Sequence, residues 1–370
     1  MITGNGLSVA ANPKLELSKL TQEILSRLQN RRTAGAEYAS ALLAIAKRHS
    51  NSSEANFEEL VGALHHQNAS LATLQDLASV VKSGDEGLLQ AISETNSFVN
   101  RMSEIGIAVI LQTIDEFASN VGSGIQIVDA FLSTLMDTNF DKIDIANLNY
   151  DSILLTALVS NYRQQLLDMG DGSLPVSVRL RVGNSRLAGY LLRNDWENAP
   201  DRRIRLIHLH GSTLFWRALG KSEVVKIRNA DLRGLQLFDK VLAKTINAKP
   251  VVVLTNTSDK SELIKEEPFK FAYQTFEKSL EEASHILIIG YSFRDTELNK
   301  KLALEVLGRG TEVKILVVTK GRQISPKYIR DALSRSLHNK VTLNLNLTII
   351  GKGIRAMPHS EKWHSFKSGI

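Results

Sequence analysis

Ile143-Asp144-Ile145-Ala146-Asn147-Leu148-Asn149-Tyr150-Asp151 is the stretch on which the reading of this 370-residue chain turns. An apolar segment runs directly into a polar triplet, as a buried strand does where it ends in a loop. Ile204 to Leu209, followed by His210-Gly211-Ser212, repeats the pattern. So does His285-Ile286-Leu287-Ile288-Ile289, followed by Gly290-Tyr291-Ser292-Phe293-Arg294-Asp295. A fourth small-polar loop, Gly4-Asn5-Gly6-Leu7-Ser8, stands at the start. Open α/β sheets bind ligands outside the carboxyl ends of their strands. Four such loops in one chain imply a nucleotide cleft with an Asn and a His in it.

Outward from these loops, strands and helices alternate from Asp141 onward. Strands are expected at 143–148, 175–182, 204–209, 250–255, 285–290, 312–319 and 341–350. Helices are expected at 151–169, 229–246, 261–284, 295–307 and 325–338. Such alternation argues for a parallel sheet with helices on its faces. Val251-Val252-Val253-Leu254 and Ile286 to Ile289 lack a period of two, as strands buried on both faces do. The last segment alternates Val-Thr-Leu-Asn-Leu-Asn-Leu-Thr and reads as an edge strand with one wet face. Residues 170–203, with Pro175 and Pro200, read as an irregular excursion or hairpin. Before Asp141 the character differs. Residues 1–12 look loop-like, and Met1-Ile2-Thr3 alone precedes the glycine loop, which leaves a first strand nearly missing. From 13 to 139, apolar residues recur at helical spacing: Leu15, Leu20, Ile24 and Leu28, then Tyr38, Leu42 and Ile45, Phe57, Leu60 and Leu64, and Ile92 to Phe117.

Composition narrows the chemistry. The chain is 43% hydrophobic and 23% charged, ordinary for a globular protein. It has no cysteine, which excludes disulfides, a thiol nucleophile and Cys-ligated zinc. No signal peptide and no apolar run of transmembrane length is visible, so a cytoplasmic protein without membrane contact is expected. The net charge of +6 favours anionic ligands. Its Lys and Arg are dispersed and not interleaved with aromatics, so direct nucleic-acid binding is not expected.

Within the loops, Gly4-Asn5-Gly6 followed by Ser8 could turn tightly enough to present backbone N–H groups to a phosphate; a flexible terminus reads equally well. Asn149 is a neutral amide that could bind a sugar hydroxyl or hold a water, or bond its own turn. Asp151 is placed to cap the following helix. His210 offers an imidazole able to accept a proton near neutral pH. His208 lies two residues back, on the same face of a strand, but no cluster of further ligands accompanies this His-x-His pair, so no metal is expected. Gly290, Ser292 and Asp295, with Asn299, suit a ribose or phosphate, or an ordinary capping turn.

Taken together and in this order, these segments resemble the sirtuin-like NAD-binding family of bacterial defence proteins. Gly4-Asn5-Gly6-Leu7-Ser8 resembles its Gly-Ala-Gly-x-Ser loop. Asn149-Tyr150-Asp151 is similar to its Thr-x-Asn-Tyr-Asp segment, with Asn147 in place of the Thr. Leu209-His210-Gly211-Ser212 with Trp216 is similar to Leu-His-Gly-Ser-x-x-x-Trp, and Ile289-Gly290-Tyr291-Ser292 with Asp295 to Ile-Gly-Tyr-Ser-x-x-Asp. The resemblance implies a Rossmann-like domain formed by 1–12 and 140–370, with 13–139 as a helical insertion domain. It implies an NAD⁺ hydrolase that cleaves the nicotinamide–ribose bond, with NAD as substrate. Asn149 would hold the ribose or the attacking water, and His210 would contact ribose hydroxyls or act as base. Gly4, Gly6 and Ser8 would cradle the pyrophosphate, and Ser292 and Asp295 would take the adenosine side. Asn5, Asp151 and Gly290 complete the implied cofactor-binding set. The absence of Cys excludes the zinc ribbon of deacylating sirtuins. Antiphage abortive infection, homo-oligomers and an ATPase or sensor partner are further implications. The alternatives are a catalytically silent NAD- or ADP-ribose-binding scaffold, and a deacylase or ADP-ribosyltransferase.

Overall fold

The computed structural model describes residues 1–30, 86–172, 175–179, 186–197, 199–254, 259–321, 324–337 and 343–368, with isolated positions between 31 and 85. Twelve strands are described: β1 (Ile2–Thr3), β2 (Ile143–Asn147), β3 (Leu166–Asp168), β4 (Pro175–Arg179), β5 (Arg186–Leu191), β6 (Ile204–His208), β7 (Gly211–Ala218), β8 (Val224–Ile227), β9 (Ala248–Val252), β10 (His285–Ile289), β11 (Lys314–Val318) and β12 (Asn346–Ile350). Seven of them form one sheet in the order β12-β11-β10-β1-β2-β6-β3, and every pairing in it is parallel.

The apolar strands are continuous because alternate residues meet two different cores. On β10, Leu287 and Ile289 join one core, while Ile286 and Ile288 join the other. β11 divides in the same way, with Leu316 and Val318 on one side and Ile315 and Val317 on the other. Helix Phe269–Glu282, through Phe276 and Leu280, and helix Thr296–Arg309, through Leu298 and Leu302, cover one face. Helices Leu17–Gln29, Glu86–Ser119 and Ile125–Met136 cover the other through Ile24, Ile110, Ile114 and Leu132. These helices therefore share a core with the sheet. The longest of them has 34 residues, about 50 Å at 1.5 Å per residue, and its buried positions begin only at Ser103. Tyr38, Leu42, Ile45, Leu60 and Leu64 lie outside the described residues; Phe57 is buried.

The first strand is short but central. Ile2 and Thr3 pair with Ile288 and Ile289 on one side and with Ala146 and Asn147 on the other. The expected loop after it is instead a helix, Asn5–Ala11. A second correction concerns 250–255. β9 is displaced to Ala248–Val252 and lies not in the parallel sheet but in an antiparallel one, β4-β5-β8-β7-β9, where it pairs with β7. Its apolar run reflects cover on both sides: Val251 packs with Phe269 and Val252 against the other core. The helix expected over 151–169 stops at Tyr162 and leaves room for β3, and the helices expected at 229–246 and 261–284 are each split in two. β12, which starts later than expected, is an edge strand, with β3 at the opposite edge. The 170–203 excursion contains the β4–β5 hairpin.

Candidate active site

The chain runs from β1 to β2 on one side of the sheet and returns through β10 on the other, so the strand order reverses at β1. A crevice at such a switch point, outside the carboxyl ends of the strands, is where doubly wound sheets take their ligands. Thr3, Asn147, His208 and Ile289 stand level across the four central strands by register. The loops that follow them therefore emerge side by side.

The β1 and β10 loops touch backbone to backbone. Gly4 N donates to Ile289 O and Gly6 N to Gly290 O, both at 2.9 Å. Gly290 has φ +59°, and a Cβ on it would lie 2.5 Å from the Gly6 Cα, so only glycine fits. The two glycine amides expected to face a phosphate are thus engaged by β10. Asn5, expected in the same cradle, turns its side chain the other way and donates to Leu15 O at 3.0 Å.

Beneath this contact a buried relay joins the first loop to the second. Asn149 Nδ2 donates to Gly4 O at 3.1 Å and to Ser8 Oγ at 3.0 Å. Ser8 Oγ donates in turn to Asp151 Oδ2 at 2.6 Å. Both amide protons of Asn149 are committed, which fixes its rotamer and leaves Oδ1 as the atom able to accept from a ligand. The main chain around it is held by Asn147, whose Oδ1 accepts from Thr3 Oγ1 at 3.0 Å and from Asn149 N at 3.2 Å. Burial pushes the Asp151 carboxyl above its ordinary range, against the bonds from Ser8 and from Ile153 N, the latter at 3.0 Å. Asp151 thus both supports the start of helix Ile153–Tyr162 and terminates the relay.

The third loop carries the imidazole. Val253 N donates to His210 O, Thr213 N to Tyr150 O, and the Tyr150 and His210 rings lie 6.1 Å apart, so the Asn149 and His210 loops are tied together. His210 Nε2 lies 2.9 Å from Asp295 Oδ2 and 2.9 Å from Lys260 Nζ, and Lys260 and Asp295 form an ion pair. Asp295 Oδ1 caps helix Thr296–Arg309 through Leu298 N at 3.1 Å. Burial raises the Asp295 carboxyl, but the Lys260 charge and the His210 bond outweigh it and hold it well below the usual range. The loop that delivers Asp295 is braced by Tyr291, whose hydroxyl donates to Asn299 Oδ1 at 2.8 Å, while Phe293 is held at φ +58°.

Asp295 therefore stands on His210. Ser292 is exposed; only its carbonyl is engaged, by Tyr328. Lys260, which nothing in the sequence marks out, is 2% exposed and completes the His210 group. The two histidines of His-x-His do not converge. His208 Nε2 meets Asp168 Oδ1 at 2.9 Å, and Asp168 Oδ2 accepts from Lys226 at 2.6 Å. Among the described residues no group of three or more His, Asp or Glu is placed to hold a metal.

A buried polar constellation of Asn, Ser, Asp and His at the switch point of a parallel sheet defines a doubly wound nucleotide-site protein. The model of the SIR2-like domain family matches residues 144–336, a little over half the chain, and the chain belongs to that family. SIR2-like domains use NAD, which sets the coarse class of its chemistry. No curated protein matches the chain. The matched span holds Asn149, Asp151, His210 and Asp295, while Gly4 to Ser8 lie before it and join the site through the Ser8 and Asn149 bonds. Among the described residues no helix is long and apolar enough to cross a membrane.

Proposed function

We propose that this chain hydrolyses NAD⁺ at the nicotinamide–ribose bond, releasing nicotinamide and ADP-ribose. The observation that carries the reading is the convergence of the Asn149–Ser8–Asp151 relay with His210 and Asp295 at the switch point. The glycosidic bond breaks with its electron pair passing to the nicotinamide nitrogen, which quenches the pyridinium charge. A water then adds at the oxocarbenium-like C1′ and loses a proton. Asn149 Oδ1, fixed by the two bonds from its amide, accepts a hydrogen bond from that water or from a ribose hydroxyl. His210 contacts the ribose hydroxyls or takes the proton. Gly4, Gly6, Ser8, Asp151, Gly290 and Ser292 line the nucleotide path, and no metal takes part.

In the cell this chemistry suits a cytoplasmic defence enzyme that depletes NAD⁺ in antiphage abortive infection, working as a homo-oligomer with an ATPase or sensor partner. The experiment is nicotinamide release from NAD⁺ by the purified chain, alone and with the product of a neighbouring gene. Asn149→Ala and His210→Ala should each abolish release while leaving folding intact. If both retain wild-type turnover, the assignment fails. One observation favours a second reading, a silent NAD- or ADP-ribose-binding scaffold: the Gly4 and Gly6 amides already bond to β10. Bound NAD⁺ without nicotinamide release by wild type under either condition would support it.

A further inference from the structure

We propose that the cavity along the edge of β3 is a second binding site, built for a small phosphate-bearing molecule. It lies between helix Ile153–Tyr162, β3 and the antiparallel sheet, and measures about 820 Å³. Small-molecule sites span about 300–1,000 Å³. Leu155, Thr156 and Val159 form its helical wall, and Tyr190, Lys226 and Ile227 its sheet wall. None of its lining residues belongs to the Asn149 relay or to the His210 group. β2 and β6 separate β3 from β1, so at about 4.8 Å per strand the cavity stands about 14 Å from the switch point. Binding here is independent of NAD⁺ hydrolysis.

Charge decides the ligand. Arg163, Arg193, Arg202, Lys226 and Arg228 line the cavity, against the carboxylates of Asp168 and Asp171. Lys226 takes both carboxylates, at 2.6 and 2.7 Å, and Arg228 pairs with Asp231 at 3.1 Å. Arg163, Arg193 and Arg202 have no ion pair among the described residues. Arg202 Nη1 donates to Arg163 O at 3.0 Å and to Leu166 O at 2.7 Å, which fixes its guanidinium at the amino end of β3. Arg193 is held through its backbone, N donating to Met169 O at 2.9 Å. Its Nε is shut off from solvent and has no acceptor among the described residues. A buried donor left so is costly, and an anion that accepts from it removes the cost. Asn229, in the same wall, has Nδ2 on Ser152 Oγ at 3.3 Å, while its Oδ1 is buried without a partner among the described residues. Turning the amide over exchanges the two atoms and still leaves one of them over. A guanidinium fork meets phosphate oxygens two at a time. Three such groups without carboxylates match an anion of more than one charge, so the cavity favours a phosphate over a carboxylate.

The probe is inorganic pyrophosphate, which carries the charge without a sugar or a base. Its affinity would be measured by calorimetry on wild type, Arg193→Gln, Arg202→Gln and Arg335→Gln. The last makes the same change of charge at an exposed position of helix Pro326–Ser336, outside the cavity. Each cavity variant should bind about tenfold or more weakly, the loss of one charged hydrogen bond, while Arg335→Gln binds as wild type does. Without ligand, Arg193→Gln should melt no lower than wild type, since its Nε gives up no bond. With saturating pyrophosphate its Tm should rise less than that of wild type. An arginine with a merely structural role would lower the Tm and leave the affinity alone. No binding by wild type, or equal binding by all four proteins, overturns the site. So does an equal loss in Arg335→Gln, which would mark attraction to net charge alone. Should the cavity variants not fold, phenylglyoxal labelling of wild type decides. Arg163 and Arg202, both exposed, should be protected by pyrophosphate; equal labelling with and without it overturns the proposal.

Discussion

Ser8→Ala is the sharpest perturbation of the buried relay. Ser8 is 1% exposed, and its hydroxyl is the sole bridge seen between the Asn149 amide and the Asp151 carboxylate, two groups 141 and 143 residues away along the chain. Removing Oγ leaves an amide proton and a carboxylate oxygen without their partner where water does not reach. A buried group left unsatisfied costs about 1–3 kcal/mol. Two neighbours in one network do not add fully, and Asp151, already raised by burial, can relieve part of the strain by taking a proton. The expected loss is therefore about 2–3 kcal/mol, a fall in Tm of several degrees for a chain of this size. Activity should suffer separately. Asn149 keeps only its Gly4 bond and is free to rotate, and a reacting group misplaced by about 1 Å can lose on the order of 100-fold in rate. The assay is a double-mutant cycle of Ser8→Ala and Asn149→Ala, read by urea unfolding, with nicotinamide release for the single variants. A coupling energy of at least about 0.5 kcal/mol is expected for residues in contact. A Ser8→Ala protein that melts with wild type, with strictly additive losses in the cycle, would refute the relay.

Gly290→Ala should destabilise by about 2 kcal/mol or more, because the new Cβ meets the Gly6 Cα at 2.5 Å and the positive φ disfavours any L side chain; urea unfolding checks it. Asp168→Asn should cost about 3–5 kcal/mol, because it removes the buried carboxylate that both His208 and Lys226 meet and leaves Lys226 only the half-exposed Asp171. Asp171→Asn should stay within about 1 kcal/mol, since Asp171 is half-exposed. Acid unfolding has a defined sign. The Asp144, Asp168 and Asp295 carboxyls lie below their unfolded value of 3.8, so the stability they contribute is present above that value and is lost as pH falls below it. Asp151 works the opposite way, its contribution fading as pH rises through its raised value. Tm measured from pH 6 downward should therefore fall most steeply below about pH 4, and Asp168→Asn should flatten that slope.

Much of the site was legible because strand ends leave a local signature. Apolar residues that fill two cores at once make an unbroken run, and the first polar residue after it marks where the strand leaves the sheet. That logic located Asn149, His210 and Gly290 on adjoining loops. It failed where the same appearance has another cause. Val251 to Leu254 are apolar because helix Phe269–Glu282 covers β9 on one side and the other core on the second, and cover on both faces does not distinguish parallel from antiparallel pairing. β3 was absorbed into a helix since Leu166 and Leu167 continue a helical spacing, and only the polar Arg163-Gln164-Gln165 hinted at a break. Lys260 left no trace at all. It lies in a stretch of Asp, Lys, Ser and Glu that reads as solvated surface, and its burial arises only when the β9 end is folded onto the His210 loop.

The two histidines of β6 and its following loop show why position in the fold outweighs residue type. His208 and His210 each meet an aspartate, and each aspartate meets a lysine, so the two groups have the same chemistry. Their surroundings differ. Asp168 ends β3 at the sheet edge, and Lys226 comes from β8 and is held by Asp171 as well, so that network fastens the antiparallel sheet to the parallel one. Freeing His208 would require prying the two sheets apart. Asp295 begins a helix at the switch point, and its lysine comes from the five-residue helix Asp259–Leu263. The same ionic triad thus fastens two sheets at His208, and at His210 it stands among the loops of the switch point.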